Sequence, residues 1–124
     1  MSNYKLLYIT CESKIEAINL GKLLVKNKLA ACTNIVSNIK SIFNWKNKVT
    51  QSQEAILIGK TQKKNVSKII KLIDKKHSYK CPCVLFFDIE KGSKKFLSWI
   101  EKNSLISQNF HKNGLVLPYE VIPL

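Results

Sequence analysis

The side chains in this sequence best equipped for metal or nucleophile chemistry are four cysteines and one histidine: Cys11, Cys32, Cys81, Cys83 and His77. Thiolate and imidazole are soft to borderline donors that favour copper or zinc over magnesium or calcium. Cys81 and Cys83 flank Pro82. In an extended chain residues two apart face the same way, which presents both sulfurs together, with His77 four residues upstream. A structural zinc or iron centre wants four such ligands, and no second pair of matching spacing follows. Cys11 closes an apolar stretch at the start of the chain, and Cys32, beside Ala30 and Ala31, reads as packed and inert. A Cys32 and His77 pair is the thiol and imidazole combination that covalent catalysis would use. The other parts of a transferase or hydrolase are missing: there is no glycine-rich phosphate loop and no arginine. Asp74, Asp88, Glu90, Glu54 and Glu101 show no spacing that singles out an acid and a base. The residues therefore predict a binding protein and not an enzyme.

The bulk properties bound what positions these groups. A chain of 124 residues with 45% hydrophobic content supplies one core and one domain. Met1 to Thr10 reads as a short strand and not as a secretory leader, and no stretch approaches the ~20 apolar residues of a membrane span. The expected setting is cytoplasmic, away from membranes, with the cysteines as free thiols. The formal charge of +13 resembles a polyanion footprint, but all 21 basic residues are lysine. Sequence-reading sites lean on the bidentate arginine fork, so no specific nucleic-acid partner is expected.

Along the chain, Lys5 to Thr10 predicts a strand. Ser13 and Glu16 have capping-box spacing and start a helix that carries Ile18, Gly21, Leu24 and Val25 to about Leu29. Gly21 within it costs about 1 kcal/mol against alanine and marks close packing on a sheet. Cys32 to Trp45 predicts a long strand, with Ile35, Ser37, Ile39, Ser41, Phe43 and Trp45 on one parity. Asn44, Asn47 and Lys48 supply turn chemistry before a returning strand, Glu54 to Thr61. Val66, Ile69, Ile70 and Ile73 make a second helical stripe, with Lys64, Lys68, Lys71 and Lys75 on its solvated side. Cys83 to Ile89 is a continuous apolar run, which predicts a central strand covered on both faces. Ser93 caps a last helix bearing Phe96, Leu97, Trp99 and Ile100. The order predicts an α+β, ferredoxin-like βαββαβ plait with a C-terminal helix over residues 1–106. A separate extension, 107–124, is apolar enough to need an edge or a neighbouring subunit.

A plait of this kind hosts many functions, and specific residues narrow the choice. Leu29, Ala30, Ala31, Cys32, Thr33, Asn34 and Ile35 resemble the L-A-A-C-x-N-I stretch of the CutA divalent-cation tolerance family. In order follow Phe43 and Trp45 at its aromatic-x-W position, Glu54 to Thr61 at its E-x-x-L-x-x-K-T strand and His77 and Tyr79 at its H-P-Y. Gly92, Phe96 and Trp99 then match its G-x-x-x-aromatic-x-x-W ending. The resemblance implies a homotrimer whose long hairpins reach onto neighbouring subunits, and a role in tolerance of divalent metals, copper especially. It also selects Cys11 and His77 as the metal ligands. The chain departs from the pattern where Ser78 and Lys80 replace a proline and an acidic residue, and where Lys76 replaces a histidine found in some relatives. An RNA-binding plait would need aromatics on the third strand, where Glu54 to Lys60 has none. A small-ligand signalling trimer is the remaining alternative.

Overall fold

The computed structural model describes residues 2–105. The extension over 107–124, expected to pack on an edge or a neighbour, lies outside them. Element order is β1 (Tyr4–Cys11), α1 (Lys14–Lys26), β2 (Cys32–Trp45), β3 (Lys48–Gln62), α2 (Val66–Lys76), β4 (Val84–Asp88) and α3 (Lys94–Asn103). The four strands form one sheet in the order β2-β3-β1-β4 with every neighbouring pair antiparallel. This is the expected α+β plait. No helix among the described residues is long and apolar enough to cross a membrane.

Strict alternation in β1 turns Lys5, Leu7, Ile9 and Cys11 toward the helices and Tyr4, Leu6, Tyr8 and Thr10 the other way. Leu7, Ile9, Leu24, Leu57, Ile69 and Ile73 are fully buried between the sheet and α1 and α2. Each such side chain stabilises the fold by about 1.5–3 kcal/mol relative to exposure. The Ser13 hydroxyl accepts from the Glu16 amide at 3.1 Å and starts α1 as predicted. Gly21 lies so close to the sheet that a Cβ there would stand 2.8 Å from Thr33 Oγ1 and 3.2 Å from Leu57 Cδ1. Close packing, and not a break, explains the glycine.

Three expectations need correction. First, β3 starts at Lys48, six residues before Glu54, because the two-residue turn Lys46–Asn47 has positive φ at both positions, 51° and 64°. That geometry matches the twist of flanking strands and lets pairing begin at Trp45 and Lys48. Second, the odd-numbered residues of β2 do not share one face. Ile35 pairs with Leu57 but Ile39 pairs with Glu54, so β2 carries one extra residue at a bulge where Asn38 has φ 59°. Paired residues share a face, and Leu57 and Glu54 lie on opposite faces of β3. Ile39, Ser41, Phe43 and Trp45 therefore line the face away from the helices. Third, β4 is an edge strand and not a central one. Among the described residues it pairs only with β1, and Leu85 and Phe87 on its helix-free side are 49% and 50% exposed. The β2–β3 hairpin extends as an arm on which Trp45 is 61% and Val49 81% exposed.

Candidate metal centre

The end of β1, the start of α1 and the end of α2 converge on three potential ligands. Cys11 closes β1 on its helix-facing side and is fully buried. Glu16 lies in the first turn of α1, and His77 follows the last residue of α2. The sulfur, a carboxylate oxygen and an imidazole nitrogen of these residues all lie within 4.8 Å of one another. Cys11 and His77 are thus brought together. Glu16, read from sequence only as a helix cap, joins them, because a helix starting three residues after β1 returns its first turn over the strand end. That proximity of the capping box to Cys11 was the available signal.

The hydrogen bonds fix the protonation of this cluster. His77 Nε2 lies 2.8 Å from the Thr10 carbonyl oxygen, which only accepts, and His77 Nδ1 lies 3.0 Å from the Tyr79 amide, which only donates. The imidazole is therefore neutral with its proton on Nε2. Glu16 Oε1 accepts from the Glu12 amide at 2.9 Å and Oε2 from the Ser78 amide at 2.8 Å. The side chain thus serves two loop amides, and not the Ser13 amide that a capping box would supply. Burial opposes ionisation of Glu16, but these two amides outweigh it and hold the carboxyl below its ordinary range. The Cys11 thiol is pushed up to about 12, first by burial and then by the charges of Glu16 and Glu54. Tyr79 donates to Glu54 Oε2 at 2.7 Å, and burial together with that bond raises its hydroxyl pKa. The cluster has the donor types of a soft or borderline cation site, held closed by a protonated thiol and an imidazole with both nitrogens engaged.

The remaining cysteines lie elsewhere. Cys32 pairs with Lys60, which faces Leu6, four residues along β1 from Thr10 and so about 13 Å from the His77 contact at strand spacing. A Cys32 and His77 nucleophile pair is thereby overturned. Cys81 and Cys83 line a groove of about 780 Å³ on the helix-free face of the sheet, together with Thr10, Phe43, Trp45 and Glu54. The sheet separates them from Cys11. All four cysteines are free.

Known proteins resemble this chain in sequence and in fold. The model of the family described as CutA1 divalent ion tolerance protein matches residues 5–103. The divalent-cation tolerance protein CutA of Archaeoglobus fulgidus is 38% identical over 99 residues, covering 80% of this chain and 96% of that protein. Its counterpart in Thermus thermophilus is 33% identical, covering 77% of this chain and 93% of that one. Some relatives are longer: the match spans 62% of a CutA homologue from Xenopus laevis. Among solved structures, the divalent ion tolerance protein CutA1 from Ehrlichia chaffeensis superposes with a TM-score of 0.80 at 31% identity, covering 86% of this chain and 99% of that one.

Proposed function

The chain belongs to the CutA1 divalent ion tolerance family, and from that premise we propose that it is a homotrimeric protein that responds to divalent metal, copper foremost, by binding it at Cys11 and His77. The observation that carries this reading is the convergence of a thiol, an imidazole and a carboxylate within 4.8 Å at the buried end of β1. The donor set suits soft and borderline cations in kind. A bound cation would neutralise the thiolate that burial disfavours, and Glu16 would add a hard oxygen donor. To bind, Cys11 gives up its proton. Ligation through His77 Nδ1 releases the Tyr79 amide and keeps the Thr10 carbonyl, whereas ligation through Nε2 moves the proton to Nδ1 and breaks both contacts. Affinity therefore rises with pH, and ligation through Nε2 loosens the tie between β1 and the segment after α2. That coupling is a physical basis for a response to metal. Four free cysteines support action in a reducing compartment such as the cytoplasm.

The test is titration of the reduced protein at neutral pH with cobalt(II), whose thiolate charge-transfer absorption reports Cys11, and with copper(II). The expected result is one cation per chain, with affinity at least tenfold weaker in Cys11→Ser and in His77→Ala. Wild-type binding in both variants overturns the assignment.

A further inference from the structure

The residue that directly follows Cys11 and the one that directly follows His77, Glu12 and Ser78, both donate their backbone amides to Glu16, at 2.9 and 2.8 Å. One carboxylate thus staples both ligand-bearing segments to the first turn of α1. We infer that Glu16 is the residue that makes the centre select a divalent cation over monovalent cuprous ion, acting as third ligand and as counter-charge. The inference rests on the reading of Cys11 and His77 as metal ligands. The two amides occupy two of the roughly four lone-pair directions of a carboxylate, so its oxygens can take a cation without giving up either amide. Glu16 Oε1 stands 3.9 Å from His77 Nε2, where the imidazole side chain is fully buried and the carboxylate side chain only 16% exposed. The Cys11 sulfur completes the triangle within 4.8 Å.

Charge decides which ion a buried site of this kind accepts. On loading, Cys11 releases its proton to solvent and its sulfur bonds the metal, while the imidazole stays neutral. Thiolate and carboxylate then carry two negative charges. A divalent cation cancels both, whereas cuprous ion leaves one uncompensated out of water, which is costly. Coordination acts in the same sense. Soft cuprous ion is served by sulfur and nitrogen alone, but a borderline divalent ion gains from a third, oxygen donor and keeps a fourth position for water. Without the charge at Glu16 both effects reverse. The charge of Glu54 also reaches Cys11, but its carboxylate accepts from the Tyr79 hydroxyl, lies outside the cluster and is unchanged by substitution at Glu16.

The test uses the reduced chain with Cys32, Cys81 and Cys83 replaced by serine, without oxygen, so that every thiolate signal comes from Cys11. Cobalt(II) is followed by its thiolate charge-transfer absorption and copper(I) by competition with bicinchoninate. Glutamine is isosteric with glutamate and still accepts one of the two amides. Glu16→Gln should weaken cobalt(II) binding by about 100-fold or more, while copper(I) binding stays equal or becomes tighter. Glu16→Asp, which keeps the charge, should recover part of the cobalt(II) affinity. Equal losses for both ions in Glu16→Gln would show that the side chain only staples the segments, and would overturn the inference. Cobalt(II) binding kept in Glu16→Gln but lost in His77→Ala overturns the role of Glu16 and leaves the centre standing. No cobalt(II) binding by the parent chain overturns both.

Discussion

Cys11 is the residue on which burial and chemistry conflict most. Its thiol stays protonated in the fold up to about pH 12, whereas the unfolded chain ionises near 8.5. Between those values the unfolded state has lost a proton that the folded state keeps, so stability falls as pH rises through this window and is unaffected below it. Urea denaturation from pH 8 to 11 should show a shallower alkaline decline in Cys11→Ala than in wild type, although the variant starts lower for want of packing. Parallel declines would show that Cys11 does not carry the effect. Resemblance located Cys11 and His77 in the sequence, and spacing alone did not, since 66 positions separate them. Their neutral, closed state was not legible, because it depends on the Thr10 carbonyl and the Tyr79 amide, backbone groups that have no sequence signature.

The elements were legible where a period shows one face. The alternation in β1 is a case. The stripe of α2 is one at Ile69 and Ile73, though Ile70 is exposed and Leu72 takes its place in the core. The capping Ser13 and Ser93 are both found accepting from the third residue on. They were not legible where both faces of a strand are apolar. A continuous run in β4 reads as central, and the bulge at Asn38 is invisible because the alternation of β2 continues unbroken through it while the face it addresses switches. Two substitutions test the packing of elements. Gly21→Ala gains about 1 kcal/mol of helix propensity, but its methyl meets Thr33, whose β-branched side chain is stiff, and overpacking costs about 1–3 kcal/mol. The expected outcome is a lower denaturation midpoint, restored in Gly21→Ala with Thr33→Ala. Asn65, fully buried, donates to the Ser104 carbonyl at 2.8 Å and the Leu29 carbonyl at 3.2 Å, tying α3 and the turn after α1 to the end of β3. Asn65→Ala removes two buried hydrogen bonds, while the Thr61 hydroxyl and the Gln62 amide still donate to the Leu29 and Ser104 carbonyls, and a loss of about 1–3 kcal/mol in urea denaturation is expected. An unchanged midpoint would remove the amide as a tie between these elements.

For the whole molecule the question is what covers the helix-free face and the arm. Phe43, Trp45, Leu85 and Phe87 form an apolar surface that a lone monomer leaves in water, and Ile42 and Val49 expose the other side of the arm. Under the proposed threefold assembly, light scattering at micromolar concentration reports three times the chain mass of 14.2 kDa, and Phe43→Lys with Trp45→Lys shifts the population toward monomer. A wild-type mass of one chain would reject the assembly. Before such partners meet, the outer edge of β2 has no strand beside it among the described residues and offers its amides and carbonyls to strand addition by another copy. Lys40, Lys46 and Lys48 stand along that arm, so copies approaching edge to edge bring like charges together. These three lysines then oppose open-ended stacking of chains along that edge. That protection reaches only about 8 Å at physiological ionic strength. Added salt thus removes the barrier to fibrous aggregation while leaving the apolar contacts of a closed assembly intact.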